Sequence, residues 1–177
     1  AYLRQERPDI KIEVLDCEAL GLIYPKIKQE IQRIKPDLIG ITTPTPAFSQ
    51  VLEICRIIKQ EISKDIITVL GGPHPTALPK ETIIEKDVDV CVVFEGETTF
   101  TELVNVFDRG TSLRGVRGIV FKDENNNIIE TERREQIKDL DGLPFPAREF
   151  FDTDLYFPPP TKRLSDKKAG NMITSRG

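Results

Sequence analysis

Two short segments of this chain carry residue types suited to holding a ligand: Gly71-Gly72-Pro73-His74-Pro75-Thr76 and Glu95-Gly96-Glu97-Thr98-Thr99. Each directly follows an apolar run that reads as a strand. Gly71 and Gly72 suit a sharp strand-end turn where backbone approaches a ligand, because glycine has no Cβ in the way. His74 is the only histidine; a metal ligand or proton shuttle would need a second histidine or a cysteine nearby, so a loop-shaping hydrogen bond is expected. Glu95 and Glu97 flank Gly96 just before a helix, where they either cap the helix N-terminus or contact a ligand.

The elements that must position these segments alternate in period. Ile10 to Asp16 has apolar residues at alternate positions, Ile23, Ile27, Ile31 and Ile34 recur at helical spacing, and Asp37 to Thr43 is strand-like again. After Pro44-Thr45-Pro46 a helix carries Val51, Ile54, Cys55, Ile58 and Ile62 on one face, and Ile66 to Leu70 is the next strand. A third helix is expected from Pro79, a strand over Val88 to Phe94, and a helix from Thr98 to Asp108 stopping at Gly110. Such alternation predicts an α/β fold: a flavodoxin-like, Rossmann-like parallel sheet with helices on both faces. In such a sheet the carboxyl ends of the strands share one edge, and ligands bind in the crevice outside it. The two glycine-bearing segments therefore mark one ligand edge.

Beyond Gly110 the pattern changes to a β-hairpin, Gly118 to Lys122 and Ile128 to Thr131 around an Asn-rich turn at 123–127. Prolines and aromatics then recur from Leu140 to Pro160, which reads as an extended strap over a neighbouring surface. The expected division is 1–112 for the sheet domain, 113–134 for the hairpin and 135–177 for a linker. Both ends read as cuts: Ala1 to Gln5 resembles the last turns of a helix, and Ile173 to Gly177 a strand opening into a loop.

The formal net charge of −4 argues against nucleic-acid backbone as the partner. Cys17, Cys55 and Cys91 form no C-x-x-C pair, so neither a disulfide framework nor a zinc site is expected, and they read as small buried hydrophobes of a cytoplasmic protein. No apolar stretch has the roughly 20 residues a membrane span needs.

Read together, Asp37-Leu38-Ile39-Gly40-Ile41-Thr42-Thr43-Pro44, Val69 to Thr76, Val93 to Thr98 and Asp139-Leu140-Asp141-Gly142-Leu143-Pro144 resemble the amino-terminal cobalamin-binding region of cobalamin-dependent radical S-adenosylmethionine enzymes. The resemblance covers nearly the whole chain. It implies that cobalamin lies across the strand-end loops, with its nucleotide tail in a slot near the strand ends. Thr42-Thr43-Pro44 stands where the family's Ser-x-Leu signature would fall, Pro44 departing from it, and Gly71-Gly72 where its Gly-Gly would. The residues this implies for the cofactor are Thr42, Thr43, Pro44, Thr45, Gly71, Gly72, Pro73, His74, Glu95, Gly96 and Glu97, with none catalytic and none metal-binding. Asp16-Cys17-Glu18-Ala19-Leu20-Gly21 mimics the Asp-x-His-x-x-Gly motif whose histidine ligates cobalt in methionine synthase, but it follows the wrong strand.

In that family Met172 to Gly177 would open a radical domain, whose next residues hold three cysteines for a 4Fe-4S cluster that works with S-adenosylmethionine. The fragment alone is then expected to be inactive, with its own missing radical domain as partner. The family's first strand would lie upstream of Ala1, which leaves Ile10 to Leu15 and Leu38 to Thr43 flanking a slot. That slot is expected to be closed by their direct pairing, by another segment, or by a second copy of the chain in an oligomer. The other class of function this fold admits is a non-enzymatic flavodoxin-like ligand-binding or sensor module. A phosphoacceptor site would want an acidic cluster at the strand ends, and a dinucleotide site a G-x-G-x-x-G; neither is present.

Overall fold

A computed structural model describes residues 1–156. The order is α1 (Tyr2–Glu6), α2 (Tyr24–Ile34), β1 (Leu38–Thr42), α3 (Phe48–Ile57), β2 (Ile67–Gly71), α4 (Pro73–Ala77), α5 (Pro79–Ile84), β3 (Val90–Val92), α6 (Glu97–Arg109), β4 (Ile119–Lys122) and β5 (Ile128–Glu130). The five strands form one sheet in the order β1-β2-β3-β4-β5. β1, β2 and β3 are parallel; β4 and β5 continue the sheet antiparallel. The hairpin is thus part of the same sheet as the α/β units.

The register explains the two apolar layers. Ile41, Leu70, Cys91 and Val120 form one row across four strands. That row packs on Val51 and Cys55 of α3 and Ile83 of α5. Val69, Val90 and Phe121 form the row behind, covered by Leu103 of α6. Alternate side chains of a strand point to opposite faces, so two rows of β-branched and aromatic residues require helices on both sides. Gly40 on β1 has the ring of Phe100 against it, 3.0 Å from where a Cβ would stand. Helix α2 adds Ile27 and Ile31 to a third cluster with Ile58 and Ile66.

Local signals account for the element ends. α2 has a proline in its first turn and stops at Lys35, in the left-handed conformation, just before Pro36. α6 stops at Gly110, whose left-handed φ of 62° costs glycine little. α3 continues into a wider π-turn, Ile58–Ile62, so the helical run reaches Ile62 as expected, and Ile54, Ile58 and Ile62 pack in that third cluster. In the hairpin, Asp123 accepts the backbone N–H groups of Asn125 and Asn127, which fixes the Asn-rich turn.

One expected strand does not form. Ile10 to Asp16 is not in a strand, and β1 is paired only with β2. Alternation marks which side chains would share a face, but a strand exists only through ladder bonds to a neighbour, and residues 10–16 have none among the described residues. The slot beside β1 is closed neither by residues 10–15 nor by another described segment. Asp16 to Gly21 is instead a turn, in which Asp16 Oδ1 accepts the Ala19 N–H at 3.0 Å. Tyr156 donates to the other Asp16 oxygen. These bonds, the Ala19 one first, lower the Asp16 carboxyl, and Tyr156 is raised to about 12 chiefly by its bond to Asp16.

The described part of the strap lies against the N-terminal segment: Arg4 pairs with Glu149 at 2.6 Å and sits 5.4 Å over the Phe150 ring. Phe145 is left exposed. Residues 157–160 of the strap and the strand expected at Met172 to Gly177 lie outside the described residues. No helix among the described residues is long and apolar enough to cross a membrane.

Cys55 and Cys91 are wholly buried. Burial pushes both thiols up to about 12, helped at Cys55 by Asp87 and Asp89. Cys17 is half-buried, and its thiol is raised mainly by burial. A thiol-reactive dye should therefore label Cys17 slowly in the folded chain and reach Cys55 and Cys91 only in denaturant. Fast labelling of all three under native conditions would contradict this packing.

Candidate functional site

Parallel pairing brings the carboxyl ends of β1, β2 and β3 to one edge. Thr42 stands beside Gly71 in register, and the Thr43 N–H donates to Gly71 O at 2.8 Å. His74 N–H then donates to Thr43 O at 3.0 Å, which ties the segment after β2 to the end of β1. Gly72 lies between these bonds at φ 97° and ψ −163°, a region essentially reserved for glycine. A Cβ there would stand 3.2 Å from Thr43 N and 3.3 Å from Thr42 Cγ2. Gly71 has no such constraint: its Cβ would meet only Val92 Cβ, at 3.9 Å.

The segment expected as a loop after Gly72 is a turn of helix, α4. Pro73 and Pro75 do not prevent it, because the first N–H groups of a helix have no intrahelical partner to lose. Likewise α6 begins at Glu97, so Val93 to Gly96 form the connection after β3. Glu97 lies in the first turn of α6, where a carboxylate complements the positive end of the helix. Glu95 Oε2 accepts the Ile137 N–H at 2.7 Å, an anchor for the chain leaving the hairpin.

Thr43 is fully buried, while Thr42, Pro44 and Thr45 are exposed at the rim, with Thr45 opening a short 3-10 turn, Thr45–Ala47. Pro73 is exposed and His74 is buried. The His74 side chain does not make the loop-shaping hydrogen bond expected of it. Its ring instead stacks on Phe48 at 3.8 Å between centroids and 27° between planes, and neither ring nitrogen has a hydrogen-bond partner among the described residues.

The structure adds three residues to this edge. Thr76 Oγ1 accepts the Phe94 N–H at 3.0 Å, joining α4 to the end of β3. Phe94 has a φ of 63°, rare for an aromatic residue, and is 47% exposed. Arg133 stacks its guanidinium 3.7 Å over the Phe94 ring. β5 runs parallel to β3 because two antiparallel steps separate them, so the chain leaving β5 emerges at the ligand edge. Gly118 N–H donates to Glu132 O at 2.9 Å, and Arg134 bonds Thr99 and pairs with Glu102, holding that segment down. Thr76 lies in the segment that the sequence already marked, whereas the conformation of Phe94 and the return of Arg133 depend on the fold.

The edge therefore offers a glycine cradle, a rim of hydroxyls and an exposed aromatic, and a buried imidazole with two open nitrogens. No group of three or more His, Cys, Asp or Glu among the described residues is placed to hold a metal ion. The arrangement suits a large organic ligand lying across strand ends rather than a bare ion.

The family described as B12 binding domain matches residues 1–104. An uncharacterized methyltransferase from Pyrococcus horikoshii is 33% identical over 178 residues, which cover all of this chain and 37% of that protein. The anaerobic magnesium-protoporphyrin IX monomethyl ester cyclase of Rubrivivax gelatinosus is 32% identical over 133 residues, 73% of this chain and 24% of the cyclase. This chain thus spans well under half the length of the curated relatives it matches. Among solved structures, the cobalamin-dependent S-adenosylmethionine radical enzyme OxsB, with aqua-cobalamin and S-adenosylmethionine bound, shares the fold at a TM-score of 0.67 and 23% identity, over 76% of this chain and 19% of OxsB. The radical S-adenosylmethionine methyltransferase TsrM from Kitasatospora setae does so at 0.63 and 19%, over 74% of this chain and 26% of TsrM.

Proposed function

The chain belongs to the B12-binding domain family, and from that premise we propose that it is the cobalamin-binding module of a larger radical S-adenosylmethionine enzyme. The observation that carries the reading is the union of that match with a strand-end cradle. Gly72 leaves open the space that a Cβ would take from Thr43, and His74 keeps two buried nitrogens for a partner. Both fit a large ligand with many hydrogen-bonding groups.

The cofactor contacts in this reading are Thr42, Thr43, Pro44 and Thr45 after β1, Gly71, Gly72, Pro73 and His74 after β2, and Glu95, Gly96 and Glu97 after β3. Bound cobalamin supplies the cobalt chemistry, whether for methyl transfer or for radical cyclisation. The chain itself binds and orients: the rim hydroxyls take polar fringe groups, and the strand ends fix the depth at which the ligand rests. The names of the methyltransferase and cyclase relatives support an enzyme of either type as the parent. The 4Fe-4S cluster and S-adenosylmethionine belong to a domain beyond residue 177, with 135–177 as the linker to it and 1–134 as the sheet and its hairpin. A cytoplasmic setting accords with the unpaired buried cysteines. The open side of β1 is the place where an upstream strand or a second copy would add to the sheet.

Reading the coding sequence past Gly177 tests the parentage. Cysteines at C-x-x-x-C-x-x-C spacing are expected within a few dozen codons, and the longer protein should then take up an iron–sulfur cluster on reconstitution. A stop codon or an unrelated domain would remove the radical chemistry and leave a free-standing cobalamin carrier.

A further inference from the structure

No residue from Ala1 to Lys26 is buried, and none from Lys122 to Tyr156, so the buried side chains among the described residues all lie between Ile27 and Phe121. The two end segments add little to the apolar core, yet they hold each other. Arg4 of α1 pairs with Glu149 at 2.6 Å and lies 5.4 Å over the Phe150 ring. Tyr156 donates its hydroxyl to Asp16, and its ring stands edge-on to Phe151 at 6.3 Å. Short 3-10 turns, Arg148–Phe150 and Thr153–Leu155, present both strap contacts, and Asp152 closes the second by accepting the Asp154 N–H at 3.0 Å. The receiving side is built as well: the Ala19 N–H fixes Asp16 Oδ1, and the N–H groups of Leu20 and Gly21 close the turn on Asp16 O and Glu18 O. Asp16 to Gly21, which follows the wrong strand for a cobalt ligand, is a docking turn for the strap.

Contacts of this kind release easily. The Arg4 and Glu149 side chains are 48% and 58% exposed, and an ion pair so open to water holds its partners only weakly. Without buried apolar area, the strap can leave its turn while the core stays packed. The flanking segments are pinned more firmly. Arg7 bonds Asn105 at 2.6 Å and Asp108 at 3.0 Å on α6, and the Ile137 N–H bonds Glu95, just past β3, at 2.7 Å. Only Lys35, Pro36 and Asp37 link α2 to β1, so α2, whose Ile27 and Ile31 pack with Ile39 and Ile41, runs against that strand. The docking turn, a few residues ahead of α2, therefore stands toward the carboxyl ends of the strands, and the strap begins and ends on the ligand side of the sheet. We propose that residues 138–156 form a releasable clasp beside the ligand edge, hinged at the Ile137–Glu95 bond and latched on Arg4 and Asp16, that opens and closes while the sheet stays folded.

The test is limited trypsin digestion of the intact chain, comparing cleavage after Arg148 in the strap with cleavage after Arg56 inside α3. At low trypsin the first rate follows the open fraction of the clasp and the second the unfolding of the core. Tyr156→Phe removes only the latching hydroxyl and should speed cleavage after Arg148 about fivefold, the size of one lost hydrogen bond. Arg4→Gln should speed it about threefold, and the two together by about the product, since both latch one strap. Tyr24→Phe, which removes a hydroxyl from an exposed ring outside the clasp, should change nothing. Asp16→Ala should speed cleavage at least as much as Tyr156→Phe, and adding Tyr156→Phe to it should speed nothing further. Cleavage after Arg56 and the urea midpoint should stay unchanged in Tyr156→Phe and Arg4→Gln. Unchanged cleavage after Arg148 in Tyr156→Phe and Asp16→Ala would overturn the proposal. So would a rise at Arg148 and Arg56 together, because the strap would then open only when the sheet unfolds.

Discussion

Gly72→Val should destabilise the chain by about 3 kcal/mol, and Gly72→Ala by about 2 kcal/mol, while Gly71→Ala next door should cost about 0.5 kcal/mol. The backbone at Gly72, φ 97° and ψ −163°, lies where side-chain-bearing residues are strained by roughly 1–3 kcal/mol. The added carbon would also press on Thr43 N at 3.2 Å, and that atom is backbone. It cannot retreat without loosening the Thr43-to-Gly71 and His74-to-Thr43 bonds that join the ends of β1 and β2. Valine adds methyl groups to the same crowded space beside Thr42 Cγ2. At Gly71 the conformation is ordinary strand and the nearest contact is a relaxed 3.9 Å. Urea unfolding of the three variants measures the contrast. Equal midpoints for Gly71→Ala and Gly72→Ala would show that the strand-end turn is not built as described.

Leu103→Ala should cost about 3 kcal/mol, within the usual range for emptying a fully buried leucine site. Leu103 is 0% exposed and holds α6 on the row of Val69, Val90, Val92, Ile119 and Phe121. These neighbours come from three strands of one sheet, which cannot collapse inward to fill a void without losing register. By contrast Ile84, 64% exposed on α5, should tolerate alanine within about 0.5 kcal/mol. A lower urea midpoint at unchanged slope is the expected signature for Leu103→Ala. Because α6 begins at Glu97, loosening it should also weaken ligand binding at the Glu95-Gly96 connection, a second readout of the same contact.

What the residues themselves disclosed, and what they withheld, follows from the range of the forces involved. Strands β1, β2 and β3 and helices α2, α3 and α6 were legible because each buries a periodic set of side chains. The stop at Gly110 and the Asn-rich turn at 123–127 were legible because the chemistry that makes them is local. Ile10 to Asp16 had the right alternation but no neighbour to bond with among the described residues, so pattern alone misled. Gly71 to Thr76 read as a loop because it follows a strand end, yet Pro73–Ala77 is a turn of helix, whose first N–H groups have no partner to lose to the prolines. At the candidate site, the glycines marked the carboxyl edge of the parallel strands, and the ends of β1, β2 and β3 meet there. The packing of the His74 ring did not follow, because its stacking on Phe48 joins residues on either side of β2. Nor did the Phe94–Arg133 contact, which depends on β5 delivering Arg133 to the ligand edge.

The central claim is that this chain holds cobalamin at the carboxyl ends of β1, β2 and β3. The most direct test is to incubate the chain with hydroxocobalamin, separate it by gel filtration, and read the visible absorbance of the protein fraction. One equivalent should travel with the unaltered chain and with Gly71→Ala, and far less with Gly72→Val under conditions where that variant remains folded. A folded, unaltered chain that elutes colourless would contradict the account, and so would full retention by folded Gly72→Val.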